Sequence, residues 1–427
     1  AEIEEDALEG FQAPERDKPD MSRTAKKTAE LLEQSAKPVI LAGNGIKLAG
    51  AEEAFYRLTE ALQIPVLTTW KTIDMMGEED SLYMGHPGSM GDRGANLVLQ
   101  QADLLISIGS RLDTSLTAFN ESHFGMSAKK VIVDIDRHEL DRMKLEQVEL
   151  KLSCDAKDFI EALYEAVQEW GDNPSGKADL AKKRDVWREW LEYGHGLRAK
   201  YPSVRQEHRT AKGAVSAYYF IELLCNYTTP EDVIVPESSG AAGEITYQAF
   251  RPKRGQKMKN AAGLGSMGFG LPYAIGACLA NGGGIRTILI NGDGAFQMNI
   301  QELQTLVRLK LPVKIFIWNN EGYASIRSMQ NHNFGGFQVA SGKSSGLTMP
   351  DTVKVAEAYG LKTFRIQDNA QLEKRLEEVL NTEGPVLCEL MISPDETVSP
   401  RTKTILREDG TLESYPLEKM WPLVEEE

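Results

Sequence analysis

The chain has 427 residues and a net charge of −15, an acidic balance that argues against a nucleic-acid binder working through a basic face. Hydrophobic residues make up 41% and charged ones 26%, as in an ordinary globular protein, and no apolar run approaches the roughly 20 residues of a membrane span. The acidic start lacks a signal-peptide pattern, and Cys154, Cys225, Cys278 and Cys388 lie too far apart for metal-ligand or redox spacing, so buried free thiols in a cytoplasmic protein are expected.

Residues 1–20 are acidic with Pro14 and Pro19 and read as a linker. From Thr24 the pattern alternates: a helix over 28–32, a strand over 38–42 closing on Gly43 and Gly45, a helix over 51–62 and a strand over 64–69. A helix over 94–101 and strands over 102–109 and 130–136 follow, so residues 21–165 predict a doubly wound parallel sheet. Residues 166–210 break the alternation. Their charged stretch 178–200, with Trp187 and Trp190 near helical spacing, predicts an interdomain helical linker. A second αβ series fills 211–395, with helices over 214–226, 267–280, 351–359 and 371–380 and strands over 233–235, 286–291, 363–365 and 385–391; residues 396–427 form a tail. The fold class is therefore α/β, two doubly wound parallel-sheet domains without a sequence repeat between them.

The centre of the second series is the run from Thr287 to Phe296 read with Val313 to Asn320. Each is a short apolar run ending in small and polar residues, as in a buried parallel strand delivering side chains at its carboxyl end. Leu303, Leu306, Val307 and Leu311 recur at helical spacing between them, and Asn299 with Glu302 suggests a capping box. Asp293 and Asn320, 27 positions apart, then stand at the ends of nearby strands. Magnesium takes six oxygens, one or two from carboxylates and several from phosphates. Asp293 offers a carboxylate, Asn320 an amide oxygen and Gly322 a carbonyl, while Gly292 and Gly294 let a phosphate approach the backbone.

Gly292-Asp293-Gly294, followed about thirty residues later by Asn319-Asn320, resembles the diphosphate signature of thiamine-diphosphate (ThDP) enzymes. Residues 263–276 resemble the preceding segment of acetolactate-synthase-like enzymes nearly residue for residue, and the tail, with Asp409-Gly410 and Pro416-Leu417-Glu418, resembles the end of such chains. The resemblance extends to pyruvate oxidase and benzoylformate decarboxylase and covers the middle and C-terminal domains. It implies ThDP and Mg2+, with Asp293, Asn320 and Gly322 as metal ligands. Gly292, Gly294, Ala295 and Tyr323 join the cofactor contacts. Gly265 would receive the cofactor's amino group, beside Ser266, and Met267 would wedge its two rings into a V. Ser238, Ser239 and Gly240 match a second diphosphate loop, although Ala241-Ala242 stands where many relatives carry Gln-His.

The implied reaction is decarboxylation of a 2-keto acid, the remaining fragment being protonated or joined to an acceptor. A homo-oligomer is implied, a dimer or tetramer. Arg327 and His332 are candidate contacts for an anionic substrate, with solvated surface charges as the rival reading. Met329 replaces the family's tryptophan, so acetolactate itself is not implied as product. FAD in the middle domain stays open against an empty structural domain: Arg111 matches, whereas Ser115 and Ala118 depart from the pattern and the His86-Pro87-Gly88 match is loose. The first domain of the family, with the glutamate that activates the cofactor, has no counterpart in these residues. The catalytic residue is thus unassigned, and a partner chain is expected to supply the pyrimidine-binding domain, with little activity without it. The alternatives are a non-catalytic structural or regulatory protein of this fold, and an NAD-type oxidoreductase, which would need the Gly-x-Gly-x-x-Gly fingerprint that Gly43-Asn44-Gly45 only approaches.

Overall fold

The computed structural model describes residues 19–172, 174–406 and 412–424. The linker expected over 1–20 lies outside these except for Pro19 and Asp20, as do Asn173 and the Asp409-Gly410 match.

The expected pair of parallel α/β sheets is what forms. The first contains β1 (Pro38–Ala42), β2 (Val66–Thr68), β3 (Leu104–Ile108), β4 (Lys129–Asp134) and β5 (Val148–Ser153), in the order β2-β1-β3-β4-β5. β1, β2 and β3 are buried along their whole length because helices cover both faces. The helix Glu52–Leu62 shows how they are covered: Ala54, Phe55, Leu58 and Leu62 recur every three or four residues and are all buried. Each of the larger side chains contributes about 1.5–3 kcal/mol by leaving water.

The second sheet contains β6 (Val233–Pro236), β7 (Lys257–Met258), β8 (Thr287–Gly292), β9 (Val313–Asn319), β10 (Lys362–Ile366) and β11 (Val386–Met391), ordered β10-β11-β9-β8-β6-β7. The anticipated crossover lies at its centre, with β8 and β9 paired in parallel from Thr287↔Val313 to Gly292↔Trp318. The capping box is not formed. Asn299 leaves helical geometry, at φ −140° and ψ 30°, and donates its amide to Gly268 O at 2.7 Å, tying two loops together instead.

Of the connector expected over 166–210, residues 166–171 finish the helix Ala156–Gly171, and the helix Pro174–Lys200 runs along the first domain. Within the helix Pro174–Lys200, the indoles of Trp187 and Trp190 are buried and donate to Ser35 O and Pro38 O at 3.1 and 3.2 Å. Past it, His208 stacks on Tyr218 of the second domain with ring centroids 4.4 Å apart. Asp92 then joins the domains through a buried ion cluster, accepting from Ser203 Oγ at 2.8 Å and pairing with Arg251 at 3.5 Å. The tail returns to the first domain, where Arg93 donates to Met420 O and Pro422 O.

Candidate cofactor and metal site

In the second sheet the strand order reverses between β6 and β8, and open α/β sheets bind ligands in the crevice at such a switch point. The loops after β6, β8 and β9 open there, joined by the segment that precedes the helix Gly270–Ala280.

Asp293, at the end of β8, is fully buried. Its Oδ1 accepts from Gly294 N at 2.8 Å and its Oδ2 from Gly322 N at 2.9 Å. Burial pushes its carboxyl up to about 7, although those two amides and the nearby Arg327 charge pull it down. Asn320 is buried as well, and its Oδ1 has no hydrogen-bond partner among the described residues. An orphaned buried oxygen costs about 1–3 kcal/mol, and a cation would relieve it and the carboxylate together. Gly322 lies at φ +124°, where a side chain would come within 2.8 Å of Ser341 O; its own carbonyl accepts from Ala324 N at 3.2 Å and keeps a second lone pair. Among the described residues no group of three His, Cys, Asp or Glu side chains could hold a metal alone. One carboxylate, one amide oxygen and one carbonyl is the protein share of a magnesium site completed by phosphate oxygens. The donor set fits a Mg2+–diphosphate unit.

The other predicted positions border the same crevice. Ser238 Oγ donates to Ser266 O, and a Cβ on Gly265, at φ +63°, would lie 3.8 Å from Ser239. Gly240 faces the third loop, where a Cβ would lie 3.7 Å from Ser325 Oγ. The Tyr323 ring packs on Gly294, where a Cβ would meet it at 2.4 Å, so only glycine fits. Gly292 is half-buried and Ala295 buried, whereas Met267 stands exposed, beside the loop the resemblance assigns to the cofactor rings.

Two residues take roles the sequence did not reveal. Glu237 is fully buried and accepts from Phe269 N at 3.2 Å and Gly270 N at 2.9 Å, fastening the β6 loop to the start of the helix Gly270–Ala280. Burial raises its carboxyl while the amides oppose the rise. An acid at a strand end within a run of small residues was the only signal. Arg327 is the second: its guanidinium donates to four backbone carbonyls, a use that neither a substrate-anion contact nor a solvated surface charge anticipates. His332 is exposed.

The first domain has its own crevice, a cavity of about 980 Å³ bordered by Asn44, Gly109 and Ser115 from that domain and by Gly263, Phe269 and Tyr273 from the second. Its size and its place at the β1/β3 switch point fit a nucleotide. Pro87 and Gly88 line it while His86 turns inward and is buried. Arg111 also lines it but reaches outward, its side chain 63% exposed and 3.3 Å from Glu139.

Residues 25–163 match the central domain of thiamine pyrophosphate enzymes, and residues 239–390 match their C-terminal TPP-binding domain. The chain belongs to this family, of which it carries the middle and C-terminal domains. Its relatives there include acetolactate synthase large subunits. It is 29% identical over 401 residues to a probable one from Methanococcus aeolicus, covering 93% of this chain and 65% of that protein. It is 31% identical over 377 residues to another probable one from Methanocaldococcus jannaschii (87% and 60%), and 29% identical over 391 residues to the acetolactate synthase isozyme 2 large subunit of Escherichia coli K12 (92% and 65%). The chain thus spans less than two thirds of the length of these relatives. No described helix is long and apolar enough to cross a membrane.

Proposed function

We propose that this chain supplies the diphosphate- and Mg2+-binding half of a ThDP-dependent enzyme that decarboxylates a 2-keto acid and protonates the remaining fragment or joins it to an acceptor. The observation that carries the reading is the pairing of a buried Asp293 carboxylate with the unmatched Asn320 Oδ1, on adjacent strands at a switch point. Bound ThDP supplies the carbon nucleophile and the electron sink for decarboxylation. Asp293, Asn320 and the Gly322 carbonyl hold the metal. Gly292, Gly294 and Ala295 leave the backbone open to the diphosphate, and Ser238, Ser239 and Gly240 close the opposite wall. Gly265 and Ser266 border the path toward the rings, with Met267 and Tyr323 offering apolar surface.

In this reading residues 21–165 form the central domain, 166–210 the connector, 211–395 the cofactor domain and 396–427 the tail. The pyrimidine side of the cofactor, with its activating glutamate, comes from residues other than the two matched domains, in the same polypeptide or in another chain, and the working form is an oligomer. The first-domain cavity takes a nucleotide such as FAD.

Native mass spectrometry with ThDP and Mg2+ present tests this. ThDP is expected on the chain, either in homo-oligomers at multiples of 47.3 kDa or in a heavier complex that includes a partner. Absence of ThDP from every assembly, at concentrations that load an acetolactate synthase, would sink the reading.

A further inference from the structure

The turn that carries Asn320 and Gly322 is not self-supporting. Glu321 sits at φ +62° and Gly322 at φ +124°, and a non-glycine residue held at positive φ costs about 1–2 kcal/mol. Such a backbone persists only where its surroundings over-determine it. Asn319 Oδ1 accepts from Glu321 N at 3.1 Å and Asp293 accepts from Gly322 N, so side chains hold the amides of the turn. One side chain holds its carbonyls. Arg327 Nη2 donates to Asn320 O at 2.9 Å, and Nη1 lies 3.5 Å from Glu321 O.

The same guanidinium reaches two further segments. Nη1 donates to Ser341 O at 3.2 Å and Nη2 to Pro394 O at 3.1 Å, beyond the end of β11. The 341–347 segment is itself strapped to the turn, through the Gly322↔Gly342 bridge and the Tyr323 N to Ser341 O bond at 3.0 Å. Gly342 makes room for the arrangement, since a Cβ there would lie 2.9 Å from Arg327 Nη1. A planar fork with five N–H donors on three nitrogens reaches four carbonyls in three backbone segments at once; a lysine ammonium has only three donors, all on one nitrogen. Among the described residues the guanidinium bonds to carbonyls and to no carboxylate, so it holds backbone rather than an ion pair, although its charge is felt by Asp293.

We propose that Arg327 is a positioning residue for the metal site. It fixes the Asn320–Gly322 turn against Ser341 and Pro394, so that Asn320 Oδ1 and the Gly322 carbonyl face the cation already held by Asp293. The inference rests on the Mg2+–ThDP reading of this site. It predicts that ordering of the 341–347 segment and metal binding rise and fall together.

The test uses the full chain with Mn2+, which accepts the same octahedral oxygen site and whose free ion is counted by electron paramagnetic resonance, so no turnover is needed. Wild type in excess ThDP is expected to remove Mn2+ from solution. Arg327→Ala is expected to bind it at least tenfold more weakly while the metal-free melting temperature stays within a few degrees, and millimolar methylguanidinium is expected to restore part of the loss. Arg327→Lys, with three donors for four carbonyls, should fall short of wild type. If Arg327→Ala fails to fold, Gly342→Ala displaces the guanidinium without removing it; its φ of −171° is open to alanine, and it should weaken Mn2+ binding in the same way. Unchanged Mn2+ binding in these variants overturns the proposal. So does a loss that methylguanidinium does not relieve and that comes with a lowered melting temperature. If wild type itself holds no Mn2+–ThDP, the reading of the site falls first, which distinguishes that failure from the failure of Arg327's role.

Discussion

The two domains begin from the same plan and end in different chemistry. Counted from its first strand, each sheet runs second, first, third, fourth: β2-β1-β3-β4 in one and β7-β6-β8-β9 in the other. Each opens a crevice beyond its first and third strands. In the first domain the acids at the strand ends are used by the backbone. Asp134 accepts from Arg111 N and Asp136 N, Asp136 caps the following helix through His138 N, and Asp155 caps the next through Lys157 N. What remains is a wide cavity whose strand-end acids already have backbone partners. In the second domain Asp293 also accepts two amides, yet it stays buried beside an amide oxygen with no donor. One crevice has room for a ligand of nucleotide size; the other has oxygens that call for a cation. Topology fixes where a site opens, and the loops decide what it takes.

The largest effect should separate the crevices directly. Asp293→Ala is expected to weaken Mg2+-dependent ThDP binding at least 100-fold, about 2.7 kcal/mol, with the stability of the metal-free protein changed little, since relief of a desolvated carboxylate offsets the acceptor that two amides lose. Isothermal titration and a denaturation curve measure the two halves of that statement. Next, FAD or ADP at 100 times its Kd should stabilise the chain by about 2.7 kcal/mol through the first cavity, and Asp293→Ala should leave that gain intact. A nucleotide effect that vanishes in Asp293→Ala would mean that the crevices are not independent. Third, Asp134→Ala, the counterpart acid of the first sheet, should cost about 2 kcal/mol of stability because two amides lose a charged acceptor, while ThDP affinity is unchanged. If it lowers ThDP affinity as much as Asp293→Ala does, the contrast between the domains is wrong.

Much of this was legible in the sequence, and the misses have physical causes. The central strands announce themselves because both of their faces are covered, which forces continuous apolar runs such as Ile288 to Ile290 and Ile315 to Trp318. β5 was missed because it lies at the edge of its sheet, where Glu149 and Lys151 alternate outward and dilute the apolar signal. The helix Ala241–Ala249 was hidden by its opening of small residues, which reads as a loop. Asn299 carries the right residue type for a cap, but the spacing could not reveal that Gly268 O lay within its reach. In the site, Asp293 and Asn320 were visible because the chemistry needs those residue types at those strand ends. Arg327 was visible as a charge, but the carbonyls it holds were not. Its four acceptors come from three stretches of chain, up to 67 positions away, and no local pattern encodes such a meeting.

The smallest expected effect concerns how the connector is fastened. Toward the first domain it is held by two buried indoles, which do not titrate. Toward the second it is held by His208, which does. His208 is buried against Tyr218, and burial together with the neighbouring Arg205 charge pushes its imidazole down to about 4, with Glu207 opposing. Its folded pKa therefore lies below the ordinary value near 6.5, so the stability it contributes is complete above about 6.5 and is lost as pH falls toward 4. His208→Phe keeps a flat ring against Tyr218 and removes the proton site, although Arg205 N loses its acceptor. Unfolding free energies at pH 7 and pH 4.5 should show the wild type losing more than the variant over that interval, by up to about 2 kcal/mol. Equal losses would move the acid sensitivity to the other buried imidazole, His86, which lies 3.3 Å from Asp92 in the ion cluster joining the domains. The weak joint at low pH would then be that cluster, and the two ends of the connector would be alike.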